Sequence, residues 1–346
     1  MSRLVCAHAF VLALSTATMA GCSDEENESE LDSEGPPRVT VVTVGTPGDP
    51  SGEAAAYCLE PEADKISVVC LDETGNYVFD GSQPVETSAA SWQVRLGFNE
   101  LLDPARAEEL VVVRDPNNPN EPERDQYGNP VMRGTLAGSQ PVILTCNGQP
   151  IAYDGYYNPS GNHLSRPPGP SLVVLPLDGV PTATTCQIEV VQGESTPGFG
   201  VFDKRGNPVS AADRGPFTFR IADLAITGSS PGEETVEGVT LDFTPLVTFN
   251  ARIDPDTLSF DGLGRVRLRT VPEDGSDGVE VAATLTVENG NTVRLTPAVL
   301  LAPQTVYQLE VYNGIADAFG GPALELDVEP KVLGTFKTGN APPAGD

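Results

Sequence analysis

Histidine and cysteine, the residues that most often bind metals or attack substrates, are scarce in this chain. The sequence contains two histidines, His8 and His163, and six cysteines. A structural zinc site usually includes a closely spaced ligand pair, and no Cys-x-x-Cys pair occurs. Because His8 falls in a predicted leader, His163 is the single candidate base for a Ser-His-Asp arrangement.

Carboxylates are abundant, with 49 Asp and Glu residues. Two of them about 5–9 Å apart could hydrolyse a glycosidic bond, but among so many acids some such pair is inevitable. Carboxylates could also hold Ca²⁺, and the candidates are Asp254, Asp256 and Asp261, or the Asp- and Asn-rich segment 115–129. That segment is predicted to be a loop, and its spacing matches no EF-hand. A solvated loop is therefore the favoured interpretation, and no metal or cofactor is predicted.

The segment 154–163 has residue types that suit contact with a sugar. It follows a predicted strand that includes Tyr153, and it is expected to be a loop. Tyr156, Tyr157 and Asn158 could stack on a sugar ring and hydrogen-bond to its hydroxyls. The alternative is that these are ordinary loop and core residues.

The charge balance excludes several classes of partner. With 20 Lys and Arg against 49 Asp and Glu, the formal net charge is −29. Binding to nucleic acid needs clustered basic residues, and so does electrostatic docking on anionic lipid. The 35 glycines and 32 prolines disfavour long helices and are typical of many short strands joined by turns. The fold class predicted is therefore all-β.

The first residues read as a lipoprotein signal peptide, assigned to 1–21. Arg3 and the apolar run 5–14 precede Met19-Ala20-Gly21-Cys22, which resembles the bacterial lipobox. The apolar run is too short to span a bilayer, so acyl chains on Cys22 would be the membrane anchor. An ordinary cleaved signal followed by an incidental cysteine is the alternative.

Residues 22–37 are expected to be a disordered acidic tether, because seven acids occur there before any base. Ser23 follows Cys22, which by resemblance to enteric lipoproteins favours the outer membrane, facing the periplasm or the cell surface. Residues 340–346 are expected to be a polar tail.

Three patterns occur twice and in the same order. Phe-Asn-x-x-(Leu/Ile)-Asp-Pro spans 98–104 and again 249–255. The segment 184–190 matches 305–311, and Asp-x-x-Gly followed by Asn-Pro or Gly-Pro occurs at 203–208 and 317–322. Both copies of the first pattern end in a turn signal, and the aspartates of the first and third patterns, Asp103, Asp203, Asp254 and Asp317, are expected to cap turns. A repeat this long predicts two copies of one domain rather than a solenoid, and short strands with frequent turns predict a β-sandwich for each.

These patterns resemble the bacterial Ig-like domains of S-layer and other surface proteins. The second copy resembles them best, including Leu-x-Pro-x-Thr-x-Tyr ending at Tyr307. The resemblance implies two tandem Ig-like sandwiches, assigned to 38–222 and 223–339. It also implies that Tyr307 is a tyrosine corner, whose hydroxyl bonds a backbone group a few residues upstream.

In the first copy, Cys186 stands where Tyr307 stands in the second, so a disulfide is inferred to take the place of the corner. With Cys6 and Cys22 assigned to the signal peptide and the lipid, four cysteines allow three pairings. The pairs predicted are Cys58–Cys70 and Cys146–Cys186, which would stabilise the fold by about 3 and about 4 kcal/mol through loop entropy.

The function expected from the sequence is a lipid-anchored, non-catalytic envelope protein with a structural or adhesive role. Its expected partners are the membrane, through lipid, and envelope polysaccharide or other surface proteins. A Ca²⁺-dependent adhesin, a glycan-binding protein and, less favoured, a carboxylate-based polysaccharide hydrolase are the alternatives.

Overall fold

A computed structural model describes residues 35–47, 52–60, 68–89, 91–103, 110–112, 114–115, 118–122, 132–135, 141–158, 170–191, 200–232, 234–274 and 276–340. Its regular elements are strands and short 3₁₀ helices, the latter at Val68–Cys70, Ala211–Asp213 and Pro255–Thr257. The predicted all-β class is confirmed. Within these ranges, no helix is long and apolar enough to cross a membrane.

Among the described residues, the N-terminal half forms two sheets and a small hairpin from fourteen strands. In chain order they are β1 Val39–Gly45, β2 Ala54–Cys58, β3 Val85–Thr87, β4 Gln93–Phe98, β5 Leu110–Val112, β6 Arg114–Asp115, β7 Asn118–Pro122, β8 Met132–Thr135, β9 Val142–Cys146, β10 Gln149–Pro150, β11 Tyr153–Asn158, β12 Ser171–Pro176, β13 Thr185–Val190 and β14 Phe217–Ile221. One sheet has the order β2-β1-β4-β12-β11-β8-β5, and the facing sheet has the order β10-β9-β13-β14-β3.

The C-terminal half repeats this plan with fewer strands. They are β15 Ile226–Ser230, β16 Val236–Val239, β17 Leu246–Phe249, β18 Ser259–Phe260, β19 Leu263–Gly264, β20 Val266–Thr270, β21 Ala283–Glu288, β22 Thr292–Pro297, β23 Val306–Val311 and β24 Lys331–Thr338. The two main sheets have the orders β15-β17-β22-β21 and β16-β24-β23-β20.

The sheet orders of the two halves correspond strand by strand. The central order β1-β4-β12-β11 matches β15-β17-β22-β21, and β9-β13-β14-β3 matches β20-β23-β24-β16. Even the two parallel pairs correspond, since β3 runs beside β14 as β16 runs beside β24. The duplication read from the sequence is therefore a duplication of topology. The first copy adds β2, β8 and β5 to one sheet and β10 to the other.

Apolar residues at every second position of β4 contribute to the core. On β4 the side chains of Val94, Leu96 and Phe98 are buried between the sheets, together with Trp92 just before the strand. An Asn-Gly pair, a strong hairpin signal, forms the turn between β21 and β22, with Asn289 and Gly290 at φ values of 52° and 80°. Only such left-handed backbone allows so tight a hairpin.

Two segments expected to be loops contain strands. Within 115–129, β6 pairs with β7 as a short hairpin. Within 154–163, residues up to Asn158 extend β11, which pairs with β12 over six residues. Neither the many Asn, Asp and Pro residues of the first segment nor the aromatic-polar mixture of the second shows the regular apolar-polar alternation by which a strand is recognised in a sequence.

Each sheet found among the described residues takes its strands from one side of residue 222. Buried apolar side chains nevertheless form one continuous cluster that passes from the first sandwich to the second. We propose the division into 38–222 and 223–339 as two domains that share a packed interface. The predicted signal peptide 1–21, Cys22, most of the tether 22–37, most of the tail 340–346 and residues 159–169 lie outside the described residues.

Candidate functional site

Three aspartates, Asp72, Asp203 and Asp317, build the same turn. In each turn the carboxylate oxygen Oδ1 accepts the backbone N–H groups of the second and fourth following residues. The two distances are 2.9 and 2.9 Å for Asp72, 2.8 and 2.7 Å for Asp203, and 2.7 and 3.2 Å for Asp317. The third following residue is a glycine at φ 84–85° in all three turns, a conformation that costs glycine little. These carboxylates therefore act as turn caps, as the sequence predicts for Asp203 and Asp317.

The second oxygen of Asp203 and that of Asp317 have different partners. Oδ2 of Asp203 accepts from the side-chain amide of Asn207 at 2.7 Å, within its own turn. In the second copy Gly321 stands at the position of Asn207, and Oδ2 of Asp317 accepts instead from Thr182 in the first sandwich. A carboxylate that caps a turn in one domain thus also binds the neighbouring domain.

Close packing surrounds this contact between the sandwiches. A β-carbon at Gly179 would lie 2.0 Å from the ring of Phe319, so the ring lies directly on the backbone of that glycine. The hydroxyl of Ser88 donates to the carbonyl of Asn250 at 2.7 Å, which joins the halves by hydrogen bonding at another place. Asp317 is 2% exposed and Thr182 is 1% exposed, so the contact excludes water.

In each sandwich a buried tyrosine hydroxyl accepts a hydrogen bond from a backbone N–H. The hydroxyl of Tyr307 accepts the backbone N–H of Ala302 at 2.8 Å, five residues upstream, so the predicted tyrosine corner is present. The hydroxyl of Tyr157 accepts the N–H of Leu102 at 2.9 Å. Burial raises the pKa of Tyr157 to about 12, so its hydroxyl stays neutral at physiological pH.

The residues proposed for sugar contact, Tyr156, Tyr157 and Asn158, lie together on β11, but they do not form one exposed surface. Tyr157 and Asn158 are 3% and 1% exposed, whereas Tyr156 is half-buried. Tyr153, at the start of the same strand, is partly buried, and its hydroxyl donates to the carbonyl of Val142 at 2.7 Å. Of the three proposed residues, only Tyr156 exposes part of its side chain.

The aspartates proposed as Ca²⁺ ligands do not form a common site, and Asp254 is engaged in a hydrogen bond. Asp254 caps the short 3₁₀ helix that follows it, accepting the N–H of Asp256 at 3.0 Å, and Asp261 lies in the tight turn between β18 and β19 at φ 52°. Within the described part of the chain, no three His, Cys, Asp or Glu side chains converge in a way that could hold a metal ion.

Both disulfides expected from the sequence are present. Cys146 and Cys186 lie directly opposite each other on β9 and β13. Cys58 ends β2 and is bonded to Cys70. The Cys58–Cys70 disulfide joins the segment after Cys70 to β2, at the edge of the seven-stranded sheet. The Asp72 turn then reverses the chain, so that Tyr77 pairs with Leu71 in an antiparallel β-bridge.

A cleft of about 700 Å³ opens beside the Cys58–Cys70 disulfide. Three aromatic side chains line it, namely Tyr57, Tyr77 and Phe79. Tyr77 and Phe79 are half-buried and alternate with Val78, which is 56% exposed, as expected for a strand-like segment with one face turned toward the cleft. The Tyr77 hydroxyl donates to the carbonyl of Cys58 at 3.3 Å, which fixes the ring against the disulfide.

Charged side chains complete the lining of the cleft, namely Arg38, Glu60 and Asp80. Nε of Arg38 lies 3.3 Å from Oδ1 of Asp213, so this cation is already paired. Burial, with a contribution from Asp213, raises the pKa of Tyr57, and burial together with Glu60 raises the pKa of Tyr77. The cleft therefore combines neutral aromatic rings with an excess of negative charge.

Sequence reasoning overlooked this cleft and the third Asp turn. Asp72-Glu73-Thr74-Gly75-Asn76 repeats the pattern of 203–207, and that similarity would have identified the turn. The cleft aromatics could have been suspected from Tyr57 next to Cys58 and from the alternating Tyr77 and Phe79 just after Cys70. Their convergence, however, depends on which cysteines are joined, and the sequence leaves three pairings open.

Comparison with known proteins identifies the second sandwich. Residues 221–338 match the family model of a bacterial Ig-like domain. Among solved structures, the N-terminal part of the bacterial S-layer protein SbsC is similar, with 16% sequence identity and a TM-score of 0.24. That similarity covers 35% of this chain and 24% of the S-layer protein chain. The comparison with curated proteins gave no match.

Proposed function

We propose that this protein, whose residues 221–338 match a bacterial Ig-like domain, is a non-catalytic structural and binding module of the cell envelope. It is held at a membrane, in this proposal the outer membrane, by lipid on Cys22. Its partners are envelope polysaccharide or other surface proteins. A fold shared by many binding domains says little about the ligand, so the proposal depends on how this chain uses its own polar groups.

The observation that carries the proposal is the use of the recurring carboxylates. Asp203 and Asp317 are each 2% exposed, and each accepts at least three hydrogen bonds. A buried carboxylate whose oxygens are engaged in this way is out of reach of a substrate and poorly placed for acid or base catalysis. The most prominent repeated acids thus have a structural role.

The interface between the sandwiches supports a role in spacing or display. Asp317 bonds to Thr182, Phe319 packs on Gly179, and Ser88 bonds to Asn250. Three contacts of different kinds restrict rotation between the two domains. In this proposal the pair acts as one unit at the end of the tether, with the cleft on its first sandwich.

Cell fractionation of the full-length protein tests the proposal. We expect the wild-type protein in the membrane fraction, with the mass of a lipidated Cys22 N-terminus, and the Cys22→Ala variant without that mass and depleted from membranes. Cys6→Ala is the matched control, because that cysteine lies in the proposed signal peptide and should leave both results unchanged. A wild-type protein found in the cytosol, or a Cys22→Ala variant that fractionates like the wild type, would refute the anchor.

A further inference from the structure

We propose that the cleft beside the Cys58–Cys70 disulfide binds an alkylated ammonium group of a small molecule. The inference deepens the proposed binding function and rests on it, but its test uses purified protein in solution and is independent of the membrane anchor. It is based on three features of the cleft, namely its size, its aromatic lining and its charge.

The volume of the cleft suits a small ligand. At about 700 Å³ it lies in the range of about 300–1,000 Å³ typical of small-molecule sites.

The aromatic side chains of Tyr57, Tyr77 and Phe79 each pack against other buried or partly buried side chains of the first sandwich. Tyr57 packs on Phe217 with ring centroids 4.6 Å apart, and Tyr77 and Phe79 pack against the cluster of Val41, Cys58 and Cys70. Rings supported in this way are already arranged for a ligand and lose little freedom on binding.

The charge of the cleft selects among possible ligands. Arg38 is the cation among the lining residues, and its guanidinium is paired with Asp213. Glu60 and Asp80 add two carboxylates at the rim, and both residues are exposed. An anionic ligand would be repelled by these groups, and by the net charge of −29 on the whole chain. A cation is attracted both to the carboxylates and to the faces of the rings.

An alkylated ammonium fits better than an inorganic cation or a simple sugar. An inorganic cation needs several oxygen ligands around it, and in the described residues no group of three acids, histidines or cysteines converges. A neutral sugar gains nothing from the excess negative charge. An alkylated ammonium is weakly hydrated, fits against aromatic rings, and is the ligand that aromatic cages with nearby acids recognise.

Titration with choline, followed by calorimetry and by ligand-observed NMR, tests the inference. The control ligand is 3,3-dimethyl-1-butanol, which has the shape of choline but no charge. We expect saturable binding of choline at one site, at least about tenfold weaker binding of the neutral alcohol, and weakening with added salt. Equal binding of the two compounds, or no binding of choline, would overturn the proposal.

Two substitutions locate the binding in the cleft. Glu60→Gln removes a charge at an exposed position, and Phe79→Leu removes a ring but keeps the position apolar. Each should weaken choline binding by about threefold to tenfold. Phe260→Ala, which removes a 71% exposed ring in the second sandwich, should have no effect. Unchanged affinity in Glu60→Gln, which has no reason to unfold, would count against the cleft even if Phe79→Leu proved unstable.

Vesicles of phosphatidylcholine distinguish a lipid headgroup from a free ligand. If the protein sediments with them and free choline releases it, the ammonium group is recognised on a lipid. If it binds free choline but not the vesicles, the ligand is a free small molecule. Sedimentation that choline does not affect, in a protein that fails to bind choline, would reject the proposed site.

Discussion

Asp317 in the second sandwich accepts two hydrogen bonds from Thr182 in the first, from the backbone N–H at 2.8 Å and from the hydroxyl at 2.5 Å. The equivalent aspartate of the first sandwich, Asp203, uses the same oxygen within its own turn, for the amide of Asn207. The exchange of Asn207 for Gly321 between the two copies vacates the space that Thr182 occupies. A difference of one residue between two otherwise similar turns therefore determines which of them can join the two domains.

Thr182→Val should weaken the interface without altering its shape. The change leaves a buried carboxylate with one fewer charge-assisted hydrogen bond, and we expect a loss of about 1.5–3 kcal/mol in the free energy of unfolding. Urea denaturation measures this loss. Thr182→Ser keeps the hydroxyl and should retain most of the stability, so equal midpoints for the Val and Ser variants would contradict the role given to the hydroxyl.

Gly321→Ala should disrupt the same interface by crowding. A β-carbon at position 321 would lie 2.1 Å from Oδ2 of Asp317 and 2.7 Å from the backbone nitrogen of Thr182. We expect a loss of about 1–3 kcal/mol and, in calorimetry, separation of the unfolding transitions of the two sandwiches. Gly232→Ala has no atom within 4 Å of the new carbon and serves as control. A Gly321→Ala variant as stable as the control would show that the domains are not held together there.

The sequence was sufficient to predict the features that depend on local chemistry. The alternation of Val94, Leu96 and Phe98 marks a buried face, and Asn289-Gly290 marks a hairpin, because each signal involves neighbouring residues only. The corner at Tyr307 was also predicted correctly, from the resemblance to Ig-like domains.

The features that the sequence could not show are those that join distant segments. Thr182 and Asp317 come into contact only through the relative placement of two sandwiches, and neither residue type marks an interface. The segment around Tyr157 was expected to be a loop because it is rich in polar residues, yet pairing of β11 with β12 buries the Tyr157 side chain. Tertiary pairing here overrides a local composition typical of loops.

Tyr157→Phe and Tyr307→Phe should each destabilise one sandwich. Both hydroxyls accept a backbone N–H, and both residues are at most 3% exposed. Removing the acceptor leaves that N–H unsatisfied, which costs about 1–3 kcal/mol. Chemical denaturation should show the loss in both variants. Tyr77→Phe is the comparison, because its hydroxyl makes a 3.3 Å bond in a half-buried position, and it should lose less. A larger loss for Tyr77→Phe than for the other two would refute this ranking.

Asp72 should titrate far below an ordinary aspartate. The Thr74 hydroxyl, at 2.7 Å from Oδ1, and then the backbone N–H of Asn76 lower the pKa of Asp72 to about 2. Because the pKa is lower in the folded state than the value of about 3.9 in an unfolded chain, the ionised carboxylate stabilises the fold above pH 4. That stabilisation is lost as the pH falls from about 4 to about 2.

Carboxyl-detected NMR titration of the folded protein measures the pKa of Asp72 directly. We expect a midpoint near 2 in the wild type and a shift toward 3.9 in Thr74→Val, which removes the hydroxyl donor but keeps the size of the side chain. Asp274 is an internal comparison, since it is a turn aspartate whose pKa is also lowered by a neighbouring hydroxyl, that of Ser276, and Thr74→Val should leave its midpoint unchanged. A wild-type midpoint near 3.9 would show that the Asp72 carboxylate does not cap its turn in solution. The turn would then not hold Tyr77 in its position beside the cleft.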